Sequence, residues 1–118
     1  DERQTNYYTD AGRYLGLIDK GHDEDGNILF QLSARGHHIM GLEYKERQLA
    51  LVTQILMHKV FNETLKLHLQ CGEMPDKQTI IQIMKNSSLY HVEADSTYLR
   101  RSSTVIGWIN WILGIVEE

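Results

Sequence analysis

The sequence predicts a mainly α-helical chain carrying one small β-hairpin. Three observations carry this expectation. Apolar residues recur at spacings of three and four over most of the 118 residues. One short stretch, Asn27 to Leu32, alternates with a period near two beside a charged turn. A single proline and the absence of any low-complexity segment leave the helical runs uninterrupted.

The elements follow in order. Thr5 to Leu15 reads as a short helix, because at about 100° per residue Tyr7, Ala11, Tyr14 and Leu15 share one side. Asn6, Thr9, Asp10 and Arg13 share the other, and Gly16 ends the run, as glycine does just past a helix. Leu17-Ile18 reads as a short strand. Asp19 to Gly26 is a polar turn, and Asn27 to Leu32 is a second strand with apolar Ile28, Phe30 and Leu32 on a period near two. Ser33 is placed to cap a short helical turn through Ile39, closed by Gly36 or Gly41. From Tyr44 to Gln70 the pattern is helical, with Leu49, Val52, Leu56 and then Val60, Phe61, Leu65 and Leu69 recurring at three and four. That length predicts a break near Met57–Lys59. Gly72 and Pro75 end the run. Asp76 to Lys85 is a further helix with Ile80, Ile83 and Met84 inward, Asn86–Asp95 is a loop, and the last helix runs from Ser96 to about Ile115.

Composition excludes several classes. Forty-two per cent apolar and 24 per cent charged residues describe a folded chain rather than a disordered or fibrous one. The longest greasy stretch, Val105–Val116, is interrupted by Gly107, Asn110 and Gly114, and falls short of the roughly 18 residues a membrane span needs. A single cysteine, Cys71, excludes an internal disulfide framework and a cysteine zinc cluster. With no secretory leader, a cytoplasmic location and no membrane partner are expected. An opening Asp1-Glu2 without an initiator methionine points to a piece of a longer chain, whose other domains are then its partners. Net charge is −4, the wrong sign for general attraction to nucleic acid. Yet no acidic residue stands between Ser96 and Val116, a window that holds Arg100 and Arg101. Any DNA contact is therefore expected through a local patch.

The last helix has two faces. Tyr98, Leu99, Val105, Ile106, Ile109, Ile112 and Leu113 form an apolar sector. Opposite lie Thr97, Arg100, Ser103, Thr104, Gly107, Asn110 and Trp111, with Arg101 and Trp108 at the margin. Arginine makes bidentate contacts to guanine in the major groove, and hydroxyl groups reach phosphates or base edges. An arginine pair on a helix also serves simply to pair with neighbouring acids and keep the helix hydrated. Trp108 and Trp111 read as core or interface anchors, and Trp111 as the anchor for a contact with another part of the parent protein.

Catalytic and metal constellations fail. The six histidines, His22, His37, His38, His58, His68 and His91, lack converging ligand spacing, so no cofactor or metal is expected. Asp23-Glu24-Asp25-Gly26 has the look of half a calcium loop. Gly21 stands where its first ligand belongs, and Leu32 where its closing acid belongs. Glu43-Tyr44-Lys45 has the letters of a nuclease acid-x-lysine pair but opens a helix, and Asp76 has no such pair after it. Cys71 follows an amphipathic helix without a histidine base, so a buried, inert thiol is expected.

Two stretches look familiar together. Arg3-Gln4-Thr5-Asn6-Tyr7-Tyr8-Thr9-Asp10-Ala11-Gly12-Arg13-Tyr14-Leu15-Gly16-Leu17-Ile18, then a hairpin and Leu32-Ser33-Ala34-Arg35-Gly36, resembles the third helix and wing of a winged-helix domain. Ser96-Thr97-Tyr98-Leu99-Arg100-Arg101-Ser102-Ser103-Thr104-Val105-Ile106-Gly107-Trp108-Ile109-Asn110-Trp111-Ile112 resembles the third helix of a second one. The order is similar to the winged-helix modules of type II restriction endonucleases and related bacterial DNA-processing enzymes. The resemblance implies tandem, partly truncated winged-helix units: residues 1–43 as the end of a first unit and residues 44–118 as a helical second unit. It implies recognition of double-stranded DNA, with cleavage left to a separate nuclease domain of the parent. Carried over by position, the recognition faces are Asn6, Thr9 and Arg13 in the first unit and Thr97, Arg100, Arg101, Ser103 and Thr104 in the second. The wing tip, Lys20 to Asn27, carries Asp23, Glu24 and Asp25, which repel phosphate. The alternative is a dimerisation or scaffold module with the winged-helix shape and no DNA contact, so a homodimer joins DNA among the expected partners.

Overall fold

In the computed structural model, which describes residues 2–87 and 95–116, the apolar periodicity becomes six α-helices and one antiparallel hairpin. The fold is mainly α with a small β-hairpin, as the sequence predicts. None of the helices among these residues is long and apolar enough to cross a membrane. The chain divides into two units, Asp1–Gln54 and Ile55–Glu118.

The first unit begins with α1 (Glu2–Tyr14), which ends where Gly16 takes φ 77°. That left-handed backbone is cheap for glycine and turns the chain out of the helix. It enters β1 (Ile18–His22), which pairs with β2 (Ile28–Leu32) in the register Ile18 opposite Leu32, Lys20 opposite Phe30 and His22 opposite Ile28. The first strand is longer than expected and the turn shorter. Asp23 closes that turn: its carboxylate accepts the N–H groups of Asp25 and Asn27, each at 2.9 Å.

Every residue of β2 is exposed. Alternation places Ile28, Phe30 and Leu32 together; it does not supply anything to cover them.

Ser33 caps α2 (Ala34–Met40) by accepting the Gly36 N–H at 2.9 Å, and its hydroxyl donates to the Gly16 carbonyl at 2.7 Å. Gly41 closes this helix, while Gly36 lies buried inside it. There a Cβ would collide with the Leu17 carbonyl oxygen, so only glycine lets α2 approach the hairpin base. α3 (Tyr44–Leu56) returns Gln54 to the end of α1, where its side-chain amide donates to the Leu15 carbonyl at 2.8 Å. The same Gln54 accepts from Arg35 at 3.2 Å.

The second unit holds α4 (Lys59–Cys71), α5 (Lys77–Lys85) and α6 (Asp95–Val116). The break before α4 falls where the spacing predicts it. His58 is extended (φ −88°, ψ 131°), and Asn62 donates to the freed Leu56 carbonyl at 3.2 Å. α4 buries Val60, Phe61 and Thr64, α5 buries Ile80, Ile81, Ile83 and Met84, and α6 closes over both. The expectation of a buried thiol fails, because Cys71 is exposed on the last residue of α4, as is Leu69. Leu49 on α3 is also exposed. The expected loop at 86–95 falls largely on residues 88–94, outside the described residues.

Two predictions follow from these caps. Ser33→Ala removes both a helix cap and a bond to the end of α1, and should cost about 1–2 kcal/mol in urea denaturation. Asp76 caps α5, accepting the Thr79 N–H at 2.8 Å, and this bond holds its carboxyl below the ordinary value of 3.8. A carboxyl lowered on folding stabilises above the unfolded value and loses that contribution as pH falls through the folded one. Melting temperature should therefore drop on acidification below about pH 4 less steeply in Asp76→Asn than in the parent.

Candidate nucleic-acid interface

The second unit's candidates all lie on α6, and the helix's inner face decides where they point. Tyr98, Ser102, Val105, Ile109 and Ile112 are buried at alternating spacings of four and three, a straight seam along one side. Ile109 is 0% exposed and packs in the core formed with α4 and α5. Ser102 sits in this seam despite its hydroxyl, which donates to the Leu99 carbonyl one turn back at 2.6 Å. Trp108 stacks on Phe61 of α4 with ring centroids 5.1 Å apart and 17° between planes. The Lys85 ammonium lies 5.2 Å from the centre of the Tyr98 ring, joining the end of α5 to the first turns of α6.

Rotation away from this seam exposes Arg100, Arg101 and Ser103 together on the first three turns. The Ser103 hydroxyl also reaches back to the Leu99 carbonyl, at 3.4 Å. Thr97 and Thr104 flank them and are half-buried. Gly107 and Asn110 continue the exposed side, and Trp111 is 40% exposed there. Leu99, assigned to the apolar sector, is exposed as well. In the first unit Arg13 is exposed near the end of α1 and Thr9 is half-buried; the Asn6 side chain lies outside the described residues.

The chemistry available on α6 is therefore charge and hydrogen bonding. Two guanidiniums offer donors in planar forks, the hydroxyls offer single donors, and no carboxylate follows Asp95 as far as Val116. Among the described residues no three His, Cys, Asp or Glu side chains gather as a metal site. The hairpin tip of the first unit is acidic, and its Asp23 is occupied in holding its own turn.

A family model described as a domain of unknown function, DUF7226, matches residues 1–117. The chain belongs to the DUF7226 family. No curated protein and no solved structure matches it. In this DUF7226 chain the outer face of α6 lies over a seam that includes one residue the apolar pattern missed, Ser102. Its position, four after Tyr98 and three before Val105, was the available signal.

The division of α6 into seam and outer face is measurable. Ile109→Ala should cost about 2–5 kcal/mol, because it opens a cavity in a fully buried site. Trp111→Ala should change stability by less than about 0.5–1 kcal/mol. Chemical denaturation followed by circular dichroism gives both values.

Proposed function

We propose that this DUF7226 chain recognises double-stranded DNA through the outer face of α6, as the non-catalytic recognition module of a restriction endonuclease-type enzyme. One observation carries the reading. Arg100, Arg101 and Ser103 are exposed side by side on a helix whose opposite side is anchored in the core. A helix so anchored presents its cations to a groove without moving, and no acidic residue follows Asp95 along it. The resemblance of the stretches Arg3–Ile18 and Ser96–Ile112 to winged-helix recognition helices supports the same reading, with Thr97 and Thr104 at the borders of the contact and Thr9, Arg13 and Asn6 as a second set. Arg100, nearer the middle of the outer face, reads a base edge. Arg101, at its margin, holds a phosphate.

A scaffold that makes no DNA contact is the second reading, favoured by the net charge of −4 and the acidic hairpin tip.

Fluorescence anisotropy with labelled duplexes separates the two. Affinity should fall with rising salt, with a slope of only a few phosphates. Arg100→Ala should cost about 1–3 kcal/mol and relax sequence preference, while Arg101→Ala should weaken specific and non-specific duplexes alike. Unchanged duplex affinity in both variants, or none in the parent at low salt, would falsify the DNA reading.

A further inference from the structure

The hairpin of the first unit has two unequal edges. Hydrogen bonding alternates along an antiparallel pair, and its phase here is fixed at both ends. Asp23 donates to Asn27 at 2.9 Å beyond one end, and Ser33 donates to Leu17 at 2.8 Å beyond the other. Counting inward through the register, Asp19 with Gln31 and Gly21 with Leu29 are the bonded pairs. Ile28, Phe30 and Leu32 therefore turn their N–H and C=O groups away from β1, toward the open edge. Their side chains also share one face. Ile28 is 57% exposed and Phe30 44%.

Natural edge strands are blunted by charge, proline or glycine. β1, Ile-Asp-Lys-Gly-His, has this protection. β2, Ile-Leu-Phe-Gln-Leu, has no charge, no proline and no glycine. We propose that the β2 edge is a homodimer interface, pairing antiparallel with β2 of a second copy about a two-fold axis at Phe30.

The geometry is self-complementary. With Phe30 opposite its own copy, Ile28 stands opposite Leu32 and Leu32 opposite Ile28. Each of these residues then exchanges backbone hydrogen bonds through the groups that face the open edge, and the two hairpins become one four-stranded sheet. Three or more strands are what a sheet needs for independent stability. Charge fits the same register. Running antiparallel, the tip with Asp23, Glu24 and Asp25 passes beyond the partner's Ser33, toward α2. That helix carries Arg35, His37 and His38 on exposed positions and no acidic residue. Repulsion between two acidic tips is avoided, because each lies at the opposite end of the pair. A parallel pairing would place the tips together, and the antiparallel one is selected. This association stands apart from DNA contact by α6.

The test reads oligomeric state in the full 118-residue chain by sedimentation equilibrium under reducing conditions. Phe30→Glu places a carboxylate beside Lys20 of its own hairpin, a favourable cross-strand pair, but opposite its own copy across the axis. The parent should dimerise reversibly. Phe30→Glu should be monomeric with an unchanged circular dichroism spectrum, and Phe30→Lys should be monomeric too. An equimolar mixture of the two variants should recover dimers, since opposite charges then meet. A parent that stays monomeric up to millimolar concentration overturns the proposal. So does a Phe30→Glu variant that dimerises as tightly as the parent, which would place the contact elsewhere, or a mixture that fails to recover dimers. Anisotropy titration of folded, monomeric Phe30→Glu with duplex judges the DNA reading separately.

Discussion

The end of α1 governs the first unit. A helix leaves its last carbonyls without partners, and burying them unsatisfied costs about 1–3 kcal/mol each. Here Leu15 and Gly16 find donors in Gln54 and Ser33, and Leu17 finds the Ser33 backbone. Those donors come from residues far along the chain, so satisfying one helix end fixes where α2 begins and where α3 must return. Gly36 belongs to the same arrangement, since the Leu17 carbonyl sits where any larger residue would put its Cβ. A few polar atoms organise more of this unit than its apolar burial does, for Leu15 and Ile39 are its only buried large apolar side chains among the described residues.

The second unit is organised the other way, by apolar burial. Ile80, Met84, Ile109, Ile112, Val60 and Val105 are enclosed almost completely, and α6 reaches them along its whole length. This anchoring is what gives the outer face of α6 a fixed direction. Two polar atoms are the exceptions: the Thr64 hydroxyl and Nδ1 of His68, one turn apart on α4, are buried without a hydrogen-bond partner. They fall on the inner side of α4, where the cover thins toward Cys71.

Much of this was legible beforehand, and the failures share a cause. Spacing placed the helices, the break at Met57–Lys59, the Ser33 cap and the inward Ile80, Ile83 and Met84, because each rests on neighbours within a turn or two. Spacing does not show whether a face has a partner. Cys71 keeps the phase of Thr64, seven residues earlier, yet it is exposed. Ile28 and Phe30 alternate as a buried strand does, yet both are exposed. On α6, Arg100, Arg101 and Ser103 were legible as an outer group because the seam beneath them is strong. Ser102 was not, since a hydroxyl in a core depends on a local carbonyl that no pattern of apolar letters reveals.

Both tryptophans belong to the second unit, and they differ in surroundings: Trp108 is stacked on Phe61, Trp111 is open to water. The first unit has only tyrosine among its fluorescent side chains apart from phenylalanine. Excitation at the red edge of the absorption band, where tyrosine is silent, therefore lights one half of the molecule and leaves the other dark. Quenchers in solution reach one of the two indoles more readily than the other. The chain carries a built-in optical contrast between its halves, and between the inside and outside of a single helix.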